Sequence, residues 1–208
     1  MEFRKDSIID IFKLYNAILE GHFLLSSGLH SDKYIQCALV LQYPKLAEKI
    51  AMLMFEEIRN KSNLWQEVTV IVSAALGGIV IGQEVARIFS TFSDKQIRAV
   101  FTERDENAKM ALRRGFQLKE EDKCLVVEDV VTTGKSTKEV IEVINSYNAK
   151  VVGVCSIFNR SVFEDNFFGL PYFYVAKLII NTYTLENCPL CKQNIPLVKP
   201  GSRKMNVL

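Results

Sequence analysis

The chain has 208 residues, of which 49% are hydrophobic and 24% charged, which suits a single domain over residues 1–208 with a substantial core. Its formal net charge of +2 argues against a nucleic-acid-binding protein. No apolar run approaches the length of a membrane span, and the N-terminus lacks the apolar core of a signal peptide. The five cysteines follow no dense spacing pattern, which favours a reducing, cytoplasmic location.

The first sixty residues predict a helix, a set of short strands and a second helix. Ser7 is a candidate cap for a helix that runs to about Leu19 and that Gly21 ends. Residues 22–42 carry short β-like segments separated by small polar residues. Pro44 opens the second helix, which the apolar periodicity extends to about Arg59.

From residue 68 onwards, apolar strands alternate with helices. The predicted strands cover residues 68–72, 97–101, 124–127 and 151–158, and the predicted helices cover residues 79–89 and 138–146. Continuous Val- and Ile-rich strands of this kind are buried on both faces. The pattern therefore predicts an α/β fold with a central parallel sheet flanked by helices. The segment that begins at Pro171 is less regular.

The most informative stretch is residues 126–137, Val-Val-Glu-Asp-Val-Val-Thr-Thr-Gly-Lys-Ser-Thr. A buried strand leads into Glu128 and Asp129, and a hydroxyl-rich loop around Gly134 leads into the next helix. The free N–H groups and positive dipole end of that helix favour a phosphate. The carboxylates suit ribose hydroxyls, or a Mg²⁺ ion that neutralises them. This order predicts a site for a phosphorylated sugar.

Residues 134–137, Gly-Lys-Ser-Thr, also look like the end of a nucleotide-binding P-loop. A P-loop requires a second glycine five positions earlier, where this chain has Asp129. The mismatch disfavours a P-loop NTPase. An ordinary strand-to-helix loop remains the structural alternative.

Two further loops follow predicted strands. Residues 73–78, Ser-Ala-Ala-Leu-Gly-Gly, form a second candidate anion site, although small residues also mark close helix–strand packing. Residues 103–115 hold four basic side chains, and we expect a mobile loop that closes over a polyanionic ligand. A solvated charged loop is the alternative. Because parallel sheets bind ligands at the carboxyl ends of their strands, we expect the three loops to form one site.

Together these motifs resemble the type I phosphoribosyltransferases, over about residues 7–165. Residues 126–137 resemble the family signature for 5-phosphoribosyl-1-diphosphate (PRPP). Residues 21–31, Gly-His-Phe-Leu-Leu-Ser-Ser-Gly-Leu-His-Ser, resemble the N-terminal motif of the orotate-using branch, and the tail 188–203 resembles one subgroup of it. The resemblance implies a core of about residues 44–165 beneath a small hood, formed by residues 1–43 and 166–208.

The resemblance also implies an activity. The chain would transfer the 5-phosphoribosyl group from PRPP to orotate, giving orotidine 5′-phosphate and pyrophosphate on the route to UMP. It would use Mg²⁺ that arrives with PRPP, with no protein ligand assigned. It would form a homodimer in which the basic loop closes over the neighbouring subunit's site. A transferase for a purine or another base, and a PRPP-binding regulatory protein, are the two alternatives.

Site residues carry over by position. The implied catalytic residues are Lys109, Arg104 and Asp129. The implied orotate-binding residues are Thr132, Arg160, Ser27, Gly28 and Tyr34. The implied PRPP-binding residues are Glu128, Asp129, Val130, Val131, Thr132, Thr133, Gly134, Lys135, Ser136, Thr137, Ala75, Gly77, Gly78 and Arg104. The chain departs from the family at Ser26, Gly77 and Asp105, which stand where many orotate members have lysine.

Cys188 and Cys191 have the spacing of a zinc knuckle, but one pair supplies only two ligands. A zinc site would need a distant Cys or His, or a dimer partner. A turn at a helix end is the alternative. His22 and His30 lie in the N-terminal motif, where His30 either lines the orotate pocket or serves packing or the surface.

Overall fold

The structure is a computed structural model that describes residues 4–25, 28–161 and 167–199. Its helices are α1 (Ile8–Leu14), α2 (Ala38–Leu41), α3 (Pro44–Lys61), α4 (Gly77–Phe92), α5 (Lys135–Ser146) and α6 (Pro189–Lys192). Its strands are β1 (Ile18–Leu24), β2 (His30–Ile35), β3 (Val70–Ala74), β4 (Arg98–Arg104), β5 (Met110–Leu112), β6 (Lys123–Val131), β7 (Lys150–Asn159), β8 (Tyr172–Lys177) and β9 (Thr182–Tyr183). Within the described part of the chain, no helix is both long and apolar enough to cross a membrane.

Six strands form the central sheet, in the order β5-β4-β3-β6-β7-β8. All neighbours are parallel except β5, which runs antiparallel to β4. Along the chain, β3 is the first strand of this sheet, and β4 and then β5 are added on one side of it. Strand β6 is then added on the other side of β3, followed by β7 and β8. The strand order therefore reverses between β3 and β6. Sheets of this type bind ligands outside the carboxyl ends of the strands at such a switch point.

Helices cover both faces of the sheet. Leu125 and Val127 of β6 point into one apolar cluster with α3 and α4, whereas Cys124 and Val126 point into another with α5. This alternation follows from the two-residue period of a strand. The predicted α/β architecture with a largely parallel, helix-covered sheet is therefore confirmed.

A second sheet joins the two ends of the chain. It is antiparallel and three-stranded, in the order β1-β2-β9. Val198 adds to its edge, because the Val198 N–H donates to the His22 carbonyl at 2.8 Å and the Leu24 N–H donates to the Val198 carbonyl at 2.8 Å. The N-terminal hairpin thus packs against the C-terminal tail.

The first helix is shorter than the sequence predicts. Helix α1 ends at Leu14, and residues from Ile18 onwards, Gly21 included, belong to strand β1. Asn16 adopts a left-handed conformation with φ 52° and reverses the chain. The Ala17 N–H then donates to the Phe12 carbonyl at 2.7 Å. Asn tolerates this conformation better than most residues, so a local turn overrides the helical periodicity.

Four other features differ from prediction. Within residues 103–115, the end of β4 pairs with β5 across a turn at residues 105–109, where a loop is predicted. Residues 38–41 form a helix where β-like segments are predicted. Strand β8 lies in the main sheet, which therefore extends beyond residue 165. Strand β6 continues to Val131, so the acidic pair lies within the strand. The remaining predicted helices and strands from residue 44 to residue 158 are present, with shifted ends.

Candidate active site

Glu128 is a buried carboxyl group near the end of β6, with 6% of its surface exposed. Burial raises its pKa well above the usual 4.5, and the negative charge of Asp129 adds to the shift. A hydrogen bond with the Thr137 side chain acts in the opposite direction. The carboxyl group can therefore donate to a ligand hydroxyl when protonated, or accept from one when ionised.

Asp129 packs against the loop that follows β3. A Cβ atom on Gly77 would lie only 2.6 Å from Asp129 Oδ2, so a side chain at position 77 would displace the carboxylate. The Val130 N–H donates to Asp129 Oδ1 at 2.8 Å. Burial raises the pKa of Asp129, while this N–H and the Cys37 thiol oppose the shift. Gly77, one of the departures from the family pattern, thus leaves the space that the acid occupies.

The loop after β6 presents hydroxyl groups at the start of α5. Thr132, Thr133 and Ser136 are exposed. Gly134 has φ 71°, in the left-handed region that glycine tolerates, and helix α5 begins directly after it. The N–H groups in the first turn of a helix lack carbonyl partners within that helix, and its dipole is positive there. The loop therefore has the geometry of a phosphate site.

Two aromatic rings pack on this loop. A Cβ atom on Gly134 would lie 2.5 Å from Phe167 Cε1 and 2.9 Å from Phe168 Cε1. The ammonium group of Lys138 lies 4.7 Å from the centre of the Phe167 ring. Sequence patterns did not single out Phe167 or Phe168, because their contacts to Gly134 span more than thirty residues.

The loop after β3 brings α4 close to the sheet. A Cβ atom on Gly78 would lie 3.0 Å from Ser73 Cβ and 3.3 Å from the Val127 carbonyl. The Ala75 N–H donates to the Thr102 carbonyl at 2.8 Å, which fixes the loop beside β4. Close packing is thus one role of the small residues. The same geometry places the N-terminus of α4 next to Asp129.

Arg160 lies at the carboxyl end of β7, and its N–H donates to the Val131 carbonyl at 2.8 Å. Its side-chain Nε is buried and has no hydrogen-bond partner within the described residues. Burial lowers the pKa of Arg160, and nearby Asp32 and Tyr34 oppose that shift. A buried donor without an acceptor is costly, so this atom is suited to an anionic ligand.

Strand β2 brings Tyr34 over the same region. Burial raises the pKa of Tyr34, with a further contribution from Asp129 and an opposing one from Arg160. The structure thus brings three candidate residues from β2, β6 and the end of β7 within electrostatic reach of one another. Gly28 lies in the turn between β1 and β2, and Ser27 lies outside the described residues.

The basic hairpin rests on helix α5. Arg104 donates to Glu139 of α5 at 2.6 Å and to the Ala108 carbonyl at 2.6 Å. Arg114 pairs with Glu103 at 2.9 Å. Lys109 is exposed next to the turn, and its N–H donates to Asp105 Oδ1 at 2.9 Å. In place of the predicted loop, the structure shows a hairpin held by ion pairs, with Lys109 at its exposed end.

Comparison with known proteins decides the family. Residues 39–166 match the model of the phosphoribosyl transferase domain. The orotate phosphoribosyltransferase of Caldanaerobacter subterraneus subsp. tengcongensis is 46% identical over 201 residues, which cover 97% of this chain and 99% of that protein. The chain belongs to the orotate phosphoribosyltransferases. The orotate phosphoribosyltransferase of Carboxydothermus hydrogenoformans is similarly close, at 44% identity over 94% of this chain and 98% of that protein.

Solved orotate phosphoribosyltransferases share the fold. The enzyme from Aeropyrum pernix superposes with a TM-score of 0.65 at 22% identity, over 81% of this chain and 92% of that one. The Mycobacterium tuberculosis enzyme in complex with PRPP superposes with a TM-score of 0.54 at 19% identity, over 70% of this chain and 81% of that one. The predicted family is therefore confirmed, and with it a transferase of pyrimidine biosynthesis.

Gly134→Ala should destabilise the protein more than Gly115→Ala. Both glycines have positive φ, 71° and 78°, so alanine at either position should cost about 1–2 kcal/mol in backbone strain. A Cβ atom at Gly134 meets neighbouring atoms, whereas at Gly115 no atom of the described residues lies within 4 Å of it. We expect about 1–3 kcal/mol of additional loss from overpacking, measured by urea denaturation. Equal losses would contradict the close contact with Phe167 and Phe168.

Glu128→Gln should make the ligand-free protein more stable at neutral pH. A raised pKa means that the folded state binds the proton more tightly than the unfolded state, so stability falls as the pH rises above 4.5. Glutamine does not ionise, and we expect a gain on the order of 1 kcal/mol at pH 7 and a flatter pH dependence. Denaturation at several pH values tests this, with exposed Glu142→Gln as the control. The same pH dependence in the wild type and Glu128→Gln would refute the effect.

Proposed function

We propose that the chain binds PRPP across the carboxyl ends of β3 and β6, transfers its 5-phosphoribosyl group to orotate, and releases pyrophosphate and orotidine 5′-phosphate. The observation that carries this proposal is the convergence of buried Glu128 with half-buried Asp129, the N-terminus of α5 and the buried Nε of Arg160. Family membership supports the reaction, and the PRPP complex of the M. tuberculosis relative supports the donor substrate.

PRPP would lie along the switch point of the sheet. The hydroxyl groups and N–H groups of residues 132–137 would hold the 5-phosphate. Glu128 and Asp129 would hold the ribose hydroxyls, because buried carboxyl groups next to a phosphate site need hydroxyl donors or a cation. The α4 N-terminus, with Ala75, Gly77 and Gly78, would meet the pyrophosphate.

Orotate would bind between β2 and the end of β7. The guanidinium of Arg160 would accommodate the carboxylate of orotate, since a planar fork of donors matches two carboxylate oxygens. Tyr34 and the turn at Gly28 would cover the ring, and Thr132 would lie between the base and the sugar. Uracil lacks the carboxylate, so the same pocket would discriminate against it by leaving the Arg160 donor unpaired.

The reaction builds positive charge on the ribose and negative charge on the leaving pyrophosphate. The carboxylate of Asp129 would stabilise the sugar, while Lys109 and Arg104 would stabilise the pyrophosphate. Orotate carries its own negative charge into the site, so the protein needs no covalent nucleophile. Packing of Phe167 and Phe168 beside Gly134 would limit the access of water to the reactive sugar.

A Mg²⁺ ion fits this set of residues. The two neighbouring carboxyl groups offer the oxygen atoms that Mg²⁺ prefers, and a cation beside them would offset the desolvation that raises the pKa of both. The ion would arrive with PRPP, and Glu128 and Asp129 would face it from beside the ribose. When bound, the ion would neutralise part of the negative charge on the phosphates.

The active protein would be a homodimer in the cytoplasm. Lys109 is exposed at the turn of the hairpin, which leaves its side chain accessible to a second copy of the chain. All five cysteines are free thiols, which supports a reducing compartment.

Purified protein with Mg²⁺ and PRPP should consume orotate and leave uracil, adenine and hypoxanthine unchanged. Arg160→Ala should raise the KM for orotate by about 100-fold, because it removes a charge-assisted pair. Exposed Arg59→Ala is the matched control and should be silent. The loss of orotate absorbance is the measurement. Turnover of a purine instead would establish the first alternative function, and PRPP binding without turnover of any base would establish the second.

Asp129→Asn and Lys109→Ala should each slow turnover by more than about 100-fold. Mixing the two inactive variants, with brief unfolding and refolding to exchange subunits, should restore part of the activity, since a mixed dimer would retain one intact shared site. Arg113→Ala is the control for general loss of positive charge in the hairpin. A silent Lys109→Ala beside a crippling Arg113→Ala would show that Lys109 is not the catalytic lysine.

A further inference from the structure

Two histidines and two cysteines from opposite ends of the chain converge outside the site described above. His22 lies on β1 and His30 begins β2. Cys188 directly precedes α6, and Cys191 lies within it. One nitrogen or sulfur atom from each residue lies within 4.8 Å of all the others. The first three side chains are buried and Cys191 is half-buried. We call these four residues the Cys2His2 cluster.

The distances within the Cys2His2 cluster suit a tetrahedral metal ion. His22 Nε2 lies 2.8 Å from His30 Nδ1, 3.5 Å from Cys188 Sγ and 3.7 Å from Cys191 Sγ. Cys191 Sγ lies 3.3 Å from His30 Nδ1. Tetrahedral zinc sites, with Zn–N of about 2.0–2.1 Å and Zn–S of about 2.3 Å, require about 3.4 Å between nitrogens and about 3.6 Å between nitrogen and sulfur. Shifts of a few tenths of an ångström in most of these pairs would bring the four atoms into that arrangement.

The surroundings of His22 orient it as a ligand. Its Nδ1 lies 2.7 Å from the Ile195 carbonyl, which accepts hydrogen bonds only, so Nδ1 carries the proton. The Nε2 lone pair then points at the other three residues. Metal-bound histidines commonly use such a bond to a backbone carbonyl to fix the tautomer and the ring. A histidine that served packing alone would not need this orientation towards two thiols.

The charge and donor set select the ion. Two thiolates and two neutral imidazoles together carry a charge of −2, which offsets that of a divalent cation, so a loaded site could be buried without a net charge. A tetrahedral set of two sulfur and two nitrogen ligands is typical of zinc, whereas Mg²⁺ prefers oxygen. All four positions come from the protein, which leaves none open for a reacting water.

We propose that the Cys2His2 cluster binds one structural Zn²⁺ ion. The ion would join β1 and β2 to α6 and so link segments that lie 161 and 166 residues apart along the chain. Because such a link closes nearly the whole chain, it would stabilise the folded state against an unfolded one that lacks the site. Half-buried Cys191 gives the ion a route from the surface.

The metal would also hold the β1–β2 hairpin in place. Its turn contains Gly28, and strand β2 carries both His30 and Tyr34. On the proposed function, removing the metal should therefore raise the KM for orotate more than the KM for PRPP. Metal content is read independently of turnover, so failure of the proposed reaction would leave the metal site testable.

The experiment measures the metal content of untagged protein that has been purified without chelators. We expect about one equivalent of zinc per chain. Blocking the thiols should release it to a colorimetric zinc indicator. The metal-free protein should take up Co²⁺ with the visible absorption bands of a tetrahedral cobalt–thiolate site. Loss of zinc should lower the Tm by on the order of 10 °C.

Variants separate the site from general thiol effects. Cys191→Ser should lose the zinc and its cobalt spectrum, whereas Cys124→Ala, a change in a cysteine buried in the central sheet, should keep one equivalent. If Cys191→Ser does not fold, the zinc content of the wild-type protein and the release of zinc on blocking its thiols still test the proposal. Zinc-free protein that takes up neither Zn²⁺ nor Co²⁺ would overturn the proposal. So would a Cys188–Cys191 disulfide in protein purified under reducing conditions.

Discussion

Two adjacent carboxyl groups at the end of β6, one buried at Glu128 and one half-buried at Asp129, are poorly solvated, and the rest of the site is arranged around them. Glu128 and Asp129 lie inside the sheet rather than beyond its edge, and burial raises the pKa of both. Such a pair is tolerated only if neighbours or ligands satisfy it. Thr137, the Val130 N–H and the Cys37 thiol do so in part. The two hydroxyls of a ribose, or a cation, would satisfy the hydrogen-bonding capacity and charge that remain. The same two carboxyl groups that are costly in the empty site would therefore bind the ligand.

The topology of the sheet explains why the candidate site lies between β3 and β6. The sheet grows in opposite directions from these two strands, so the loops that follow them diverge and leave a crevice. Gly77 lacks a side chain, and Asp129 fills the resulting space. A lysine at that position would have to displace the acid. Because position 77 is glycine, this chain lacks the positive charge of that lysine, and Asp129 approaches the backbone there instead.

Both chain ends contribute to the other half of the site. The hairpin of β1 and β2 carries the residues proposed for orotate, and it is held by β9, by Val198 and by the contacts of the Cys2His2 cluster. The hairpin lies far from the C-terminal tail in sequence. Its position therefore depends on interactions formed only when the whole chain has folded.

The parts of this protein that depend on short-range patterns can be predicted from its sequence. Runs of Val and Ile predicted the parallel strands, and residues 126–137 predicted a strand, acids, loop and helix start, because each feature lies within one turn or strand of the next. Local patterns failed where a single residue redirects the chain, as at Asn16, and where cross-strand pairing orders a charged segment, as at residues 103–115. Which distant groups meet depends on tertiary packing. Tertiary packing places Arg160 Nε in a buried position with no hydrogen-bond partner among the residues that the structure describes. It also sets Asp129 against Gly77 and brings His22 and His30 to a cysteine pair that supplies only two metal ligands by itself. These contacts form where the N-terminal hairpin meets the C-terminal tail and where loops meet at the switch point of the sheet. Contacts between segments so far apart leave no periodic signal in the sequence.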